Sequence, residues 1–251
     1  MKNITLIGSG NVATHLGLSL LKAGYSIKQV WSKKLINAKR LAEKINSNAT
    51  DNLERIKNAD LFIIAVKDDG LESLIQQLDI DNIVHTSGSI GLEAFNKKFK
   101  NYGVFYPLQT FNKKINLNFK TTPLCIEANN TFFKNELMQI GKNLTGTVKV
   151  MSSEQRKQLH IAAVFACNFT NHMFAIADSI LAQNNIDFKL LTPIINQTVK
   201  KINQNKPKEV QTGPAERKEK NIIQSHINNL NDDKLKEIYK LISESIMRRN
   251  G

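Results

Sequence analysis

Apolar and polar positions follow two different periods along this chain, and the change falls near residue 151. In the first part, short apolar runs alternate with amphipathic stretches of helical period. Residues 3–8 (NITLIG) predict a buried strand and 11–24 (NVATHLGLSLLKAG) a helix ended by Gly24. Residues 26–32 (SIKQVWS) give the next strand and 37–45 (NAKRLAEKI) the next helix. The run 59–66 (ADLFIIAV) is nearly all apolar, as a strand buried on both faces of a parallel sheet must be. A helix over 68–78 (DDGLESLIQQL) follows, with Asp68 or Asp69 as its N-cap. Strands are expected at 82–88, 103–108, 122–128 and 146–151, the last two separated by a helix over 132–144. Strands alternating with helices imply right-handed βαβ units and a parallel sheet. The expected fold class is therefore α/β, with a Rossmann-type parallel-sheet domain over residues 1–151.

From residue 152 the period is helical throughout. Ser152 and Gln155 have capping-box spacing at the start of a long helix over 152–184. Further helices fit 188–205, 214–230 and 232–250. Residues 152–251 therefore read as an all-α C-terminal domain for substrate binding and dimerisation. The helix around 161–177 is apolar around most of its circumference, more than one layer of neighbours covers, so a homodimer through this domain is expected.

Composition narrows the picture only modestly. With 41% hydrophobic and 23% charged residues the chain can bury a core. Its two cysteines, Cys125 and Cys167, lack metal-ligand spacing and fit a reducing cytoplasm better than a disulfide scaffold. No uninterrupted apolar run approaches the ~18 residues of a membrane span, so no membrane association is expected. The formal charge of +13 raises a nucleic-acid partner. The lysines are dispersed and not interleaved with aromatic residues, which argues against one.

Candidate chemistry begins at Gly8, Gly10 and Ala13, which match G-x-G-x-x-G/A between a strand and a helix. The first glycine permits the turn, the second lets backbone approach a pyrophosphate, and the small third residue lets helix and strand pack closely. Asn11 and Val12 open that helix and Val66 ends the 59–66 strand, so all three join the cofactor-binding set. Sites for NAD place an acidic residue after the second strand to hold the ribose hydroxyls. Here no Asp or Glu precedes Glu43, and Ser32, Lys33 and Lys34 stand at that place. A hydroxyl and ammonium groups suit a 2′-phosphate, so NADP is expected in preference to NAD, with Arg40 a lesser contributor. The bland alternative is that lysines are simply common in this chain.

The stretches LIGSGNVATHL, ADLFIIAVKDD, HTSGS and YPLQTF resemble the Rossmann domains of pyrroline-5-carboxylate reductase and the 3-hydroxyacid dehydrogenases. HIAAVFACNFTNHM and TGPAERKEKNIIQSHINNL are more closely similar to a family that joins a Rossmann-like domain to a helical domain of unknown function, labelled NADP-dependent oxidoreductases. The resemblance covers nearly the whole chain. It implies a cofactor and a fold, and the family offers no settled substrate. The chain departs from the family pattern T-G-P-x-x-R-G-D at Lys218 and Glu219, and carries Tyr106 where a His is expected.

Four residues are candidates for catalysis. Ser87 belongs to HTSGS at a strand's carboxyl end, where Ser87, Gly88 and Ser89 could face a ligand or simply form a turn. His85, inside the strand, reads as a core residue. On the long helix, His160, Val164, Asn168 and Asn171 share a face at 100° per residue. His160 would donate a proton and Asn168 hold substrate, as resemblance to the hydroxyacid dehydrogenases implies; a polar network at an interface is the alternative. Thr212 and Arg217 would offer a hydroxyl and an anion clamp, or Thr212 would cap the helix that Pro214 begins. The expected function is reduction of a small carbonyl or imine, at a site between the domains. A non-catalytic nucleotide or metabolite sensor is the alternative.

Overall fold

The computed structural model describes residues 1–96 and 98–249, excluding the side chain of Arg249; the last position of the helix expected over 232–250 lies outside the described residues. Eight strands form one sheet: β1 (Asn3–Ile7), β2 (Ser26–Trp31), β3 (Asn48–Thr50), β4 (Leu61–Ile64), β5 (Ile83–His85), β6 (Tyr102–Pro107), β7 (Leu124–Ala128) and β8 (Val148–Val150), in spatial order β3-β2-β1-β4-β5-β6-β7-β8. The side-chain alternation along β4 explains its unbroken apolar run. Leu61 and Ile63 join the core beneath α1 (Asn11–Lys22), α2 (Leu35–Lys44) and α4 (Thr131–Leu144). Phe62 and Ile64 join a second core with Leu71, Leu74 and Ile75 of α3 (Leu71–Gln76) on the opposite face. Each fully buried Leu or Ile contributes about 1.5–3 kcal/mol. The connections change face between β1 and β4, which makes their carboxyl ends the switch point where such sheets bind ligands.

The expected α/β fold is present, with three local differences. The sheet has one antiparallel pair, β6 with β7. The connection 108–123 holds only a 3-10 turn at Phe119–Thr121 and no crossover helix, so the strand reverses. β3 is three residues long with no apolar run, and left no periodic signal. Asp68 and Asp69 do not cap α3: they form a 3-10 turn with Gly70, and the N-cap, Gly70, offers no side-chain acceptor.

The chain divides by compactness into two units, Met1–Met173 and Phe174–Gly251. The change from strands to helices lies earlier, between the end of β8 and the start of α5 (Ser153–Ala163). A π-helical segment, Val164–Phe169, links α5 to α6 (Thr170–Ala182), making one 30-residue helix. An 18-residue window of it has mean hydropathy 1.3, long and apolar enough to span a membrane by those measures alone. Asn168, Asn171 and His172 interrupt its apolar runs, which is why uninterrupted runs did not flag it.

Within the second unit, α7 (Thr192–Gln204) precedes α8 (Lys220–Asn228), and α8 packs on α9 (Asp233–Arg249). The His226 Nδ1 lies 2.7 Å from the Tyr239 hydroxyl across that pair. The helix expected from Pro214 begins only at Lys220. Pro214–Lys218 form a separate turn, broken from α8 by Lys218 at φ +58°.

Candidate functional site

Gly8 occupies φ +131°, and a Cβ there would stand 2.2 Å from the Ala65 carbonyl oxygen at the end of β4. Only glycine lets the β1 turn lie this close to its neighbour. Gly10, the N-cap of α1, is the reverse case, with no heavy atom within 4 Å of where a Cβ would stand. No side chain caps α1 and its first turn holds no acidic residue, so the first N–H groups of the helix, those of Asn11 and Val12, have no side-chain acceptor at the cap. Ala13 is fully buried against the core, as close helix–strand packing demands. A negatively charged pyrophosphate fits this cradle sterically and electrostatically. Val66 follows β4 at the same edge, half-buried against the second core.

After β2, the Ser32 hydroxyl is nearly buried and accepts a 2.8 Å bond from the Ser9 hydroxyl, tying the glycine turn to the second strand. Lys33 and Lys34 are exposed, and α2 begins after Lys34 with neither a side-chain cap nor an acidic residue in its first turn.

At the end of β5 the Ser87 hydroxyl accepts from the backbone N–H groups of Ser89 (3.1 Å) and Ile90 (3.0 Å). It therefore builds the turn, while its own hydroxyl proton stays free to donate. His85 is a core residue, as expected. Its Nδ1 accepts from the Ser87 N–H, its Nε2–H faces the Gly91 carbonyl, and its ring stacks on Phe95. Burial, aided by the Arg156 charge, pushes its pKa down to about 3.

Gly88 brings the next two groups together. A Cβ at Gly88 would lie 2.7 Å from His160 Nδ1 and 2.8 Å from the Tyr106 ring, so both side chains close over its bare backbone. The Tyr106 hydroxyl stands 3.0 Å from His160 Nδ1, and the rings meet edge to face. Burial raises the Tyr106 pKa to about 12, so the phenol keeps its proton. Tyr106 is the residue that sequence reasoning treated only as a departure from a pattern. Its position at the carboxyl end of β6, beside Ser87 at that of β5, was the available signal.

A buried ion pair fixes the start of α5. Arg156, 1% exposed, pairs with Glu127 of β7 and donates to the Ile90 carbonyl. Glu127 also accepts from the Ser153 N–H (2.8 Å) and hydroxyl (2.7 Å). Removing one partner of such a pair costs about 3–5 kcal/mol. His160 lies one turn beyond Arg156, and Ile90 closes the turn that holds Gly88. The capping box of Ser152 and Gln155 is formed as expected.

The π segment alters the helix face. A π turn takes about 4.4 residues, so each residue advances roughly 80° rather than 100°. On ideal geometry such a segment over Val164–Phe169 would bring Asn168 to within about 10° of His160, where an unbroken α-helix would leave it about 80° away. On the same geometry Asn171, expected on the His160 face, would lie about 70° off it. Asn168 is exposed.

In the second unit Thr212 is exposed and precedes α8 by eight positions, so it does not cap that helix; Glu219 stands at the N-cap. Arg217 is held by Glu219 through two bonds, 2.9 and 2.8 Å, which occupies the fork expected to clamp an anion.

Comparison with known proteins places this arrangement. The family model described as NADP oxidoreductase, coenzyme F420-dependent, matches residues 3–87, and one described as a domain of unknown function, DUF2520, matches residues 122–246. A Bacteroides fragilis structure assigned as an NADP oxidoreductase is 39% identical, with 98% of each chain covered and a TM-score of 0.91. The chain belongs to this family of NADP oxidoreductases with a DUF2520 C-terminal domain. An imine reductase from Myxococcus stipitatus in complex with NADP+ shares the fold at 15% identity, 98% and 92% coverage and TM-score 0.66. A pyrroline-5-carboxylate reductase from Coxiella burnetii does so at 17% identity, 99% and 97% coverage and TM-score 0.56. No curated protein matches the sequence.

Proposed function

We propose that this protein is an NADP-dependent reductase of a small carbonyl or imine, with His160 as the proton donor. The observation that carries the reading is the Tyr106–His160 pair closed over Gly88 at the same sheet edge as the glycine cradle. β5 lies two strands from β1, about 10 Å across the sheet, so cofactor and pair share one edge. The nicotinamide supplies the hydride when bound. The protonated Tyr106 phenol donates to Nδ1 of neutral His160 and leaves the Nε2–H to face the substrate; as Nε2 gives its proton to the substrate nitrogen or oxygen, Nδ1 takes the phenol proton, and water reprotonates the tyrosine. Asn168, aligned with His160 by the π segment, orients the substrate, and Ser87 has a hydroxyl proton to offer. Thr212 remains a candidate whose role a Thr212→Val variant tests. The imine and pyrroline reductases among the structural neighbours favour a C=N substrate.

Preference for NADP over NAD rests on Ser32, Lys33 and Lys34 standing where an acid would hold the ribose. The protein is read as a cytoplasmic homodimer. Ile161, Phe165 and Phe169 are 51%, 65% and 48% exposed on the long helix, and a second copy would cover them. This reading also accounts for the helix's hydropathy without a membrane. Light scattering at micromolar concentration tests it, and a monomeric mass contradicts it.

The function is tested by NADPH oxidation across cyclic imines, keto acids and aldehydes, with reduced coenzyme F420 as a second hydride source. Turnover abolished by His160→Ala supports the reading. Tight NADPH binding with no turnover on any substrate marks a sensor instead.

A further inference from the structure

The connection 108–123 between β6 and β7 is long for its architecture and unused by the chemistry above. Three contacts pin its middle to the first turns of α1. The Asn11 side chain, at the first position of that helix, accepts from the Lys113 N–H at 3.3 Å. One turn on, His15 Nε2–H donates to the Asn112 carbonyl at 3.0 Å. Phe111 packs against His15 and Phe119 and on the main core. Asn112 then forms a tight turn, its side chain accepting from the Lys114 N–H at 3.0 Å and its carbonyl from the Ile115 N–H.

The result is a polar tip held beside the glycine cradle. Lys113 and Lys114 are exposed, and among the described residues neither joins an ion pair. A lysine stem reaches about 6 Å, which brings the Lys113 ammonium within range of the space above Gly10 and Asn11. The first turn of α1 (Asn11, Val12, Ala13, Thr14) carries no cation of its own. Its N–H groups alone would face a doubly charged pyrophosphate.

We propose that residues 109–115 form a strap over the cofactor, in which Lys113 binds the pyrophosphate and Asn11 holds the strap in place. The proposal rests on the NADP reading and adds to it a residue distant in sequence from the glycine fingerprint. Asn11 then acts through its side chain on the loop as well as through its backbone on the phosphate. An ammonium on a phosphate in a site open to water is screened by salt.

The test is calorimetric titration of the full-length protein with NADPH and with 2′-AMP, which carries the 2′-phosphate but no pyrophosphate. Lys113 is exposed, so Lys113→Met leaves folding intact. The expected result is NADPH affinity about tenfold weaker in Lys113→Met, a gap that narrows as salt rises, with 2′-AMP affinity unchanged. Tryptic cleavage after Lys113 and Lys114 should be suppressed by NADPH and not by 2′-AMP. Wild-type binding of NADPH that Lys113→Met leaves unaltered would overturn the strap and keep the cofactor. Equal weakening of NADPH and 2′-AMP would overturn it by moving Lys113 to the ribose end. A wild type that binds no NADPH would overturn the cofactor reading itself, and the strap with it.

Discussion

The Tyr106 hydroxyl lies 3.0 Å from Nδ1 of His160, and the backbone of Gly88 is the floor on which the two rings meet. This contact sets a protonated phenol against Nδ1 of a helix histidine. Tyr106→Phe keeps the ring and removes only the hydroxyl. NADPH-driven turnover should fall about fivefold, the net worth of one buried hydrogen bond being ~1 kcal/mol, with NADPH affinity unchanged. KM for the substrate should change less than kcat, because the lost contact lies behind His160 and not in the substrate pocket. An unchanged kcat in Tyr106→Phe would remove the tyrosine from the mechanism.

The two glycines of the cradle should separate stability from binding. Gly8→Ala forces a Cβ into the Ala65 carbonyl at φ +131°, so stability should fall by several kcal/mol, read as a sharply lower urea midpoint. Gly10→Ala meets open space and should keep stability within ~0.5 kcal/mol, while NADPH binding weakens because the methyl occupies the pyrophosphate's approach. Gly10→Ala with undiminished NADPH affinity would count against the cradle.

Much of this was legible in the sequence, and the rest was hidden for identifiable reasons. The buried runs of β1 and β4 and the turn glycines are local signals, and they placed the cradle. Asn168 and Asn171 were read on the His160 face from an α-helical period, and that period does not hold across the π-helical Val164–Phe169. No local period announces a π turn. Tyr106 and Arg156 matter through partners 54 and 29 residues away, so spacing alone could not select them. The helix before residue 220 failed because its pattern continued smoothly through Lys218, where the backbone turns left-handed.

That position yields a stability prediction. Lys218 holds φ +58°, where a residue with a Cβ pays about 1–2 kcal/mol. The related motif carries Gly there. Lys218→Gly should raise stability by about 0.5–1 kcal/mol after its larger unfolded-state entropy is counted, read as a higher urea midpoint. A lowered midpoint would show that Lys218 makes compensating contacts.

Acid sensitivity should follow His85. Its pKa is 6.5 in an unfolded chain and about 3 in the fold, lowered first by burial and then by Arg156. Between those values the unfolded chain binds a proton that the fold refuses. The His85 contribution is therefore complete above pH 6.5 and declines toward pH 3, by up to about 1.4 kcal/mol per pH unit. Urea unfolding at pH 7.5 and 4.5 should show a loss of about 2–3 kcal/mol that His85→Gln lacks. Equal losses in both proteins would assign the acid sensitivity elsewhere.

The central claim is that the missing acid after β2 marks a cofactor with a 2′-phosphate. On the proposed reading Ser32 and Lys33 would meet that phosphate, and one exposed charge-assisted bond contributes about 1.5–3 kcal/mol at most. Calorimetric titration of the wild type with NADPH and NADH at low salt tests this most directly. The account predicts NADPH binding roughly ten- to a hundredfold tighter, with the preference reduced in Lys33→Ala. Equal affinities for the two cofactors would contradict it.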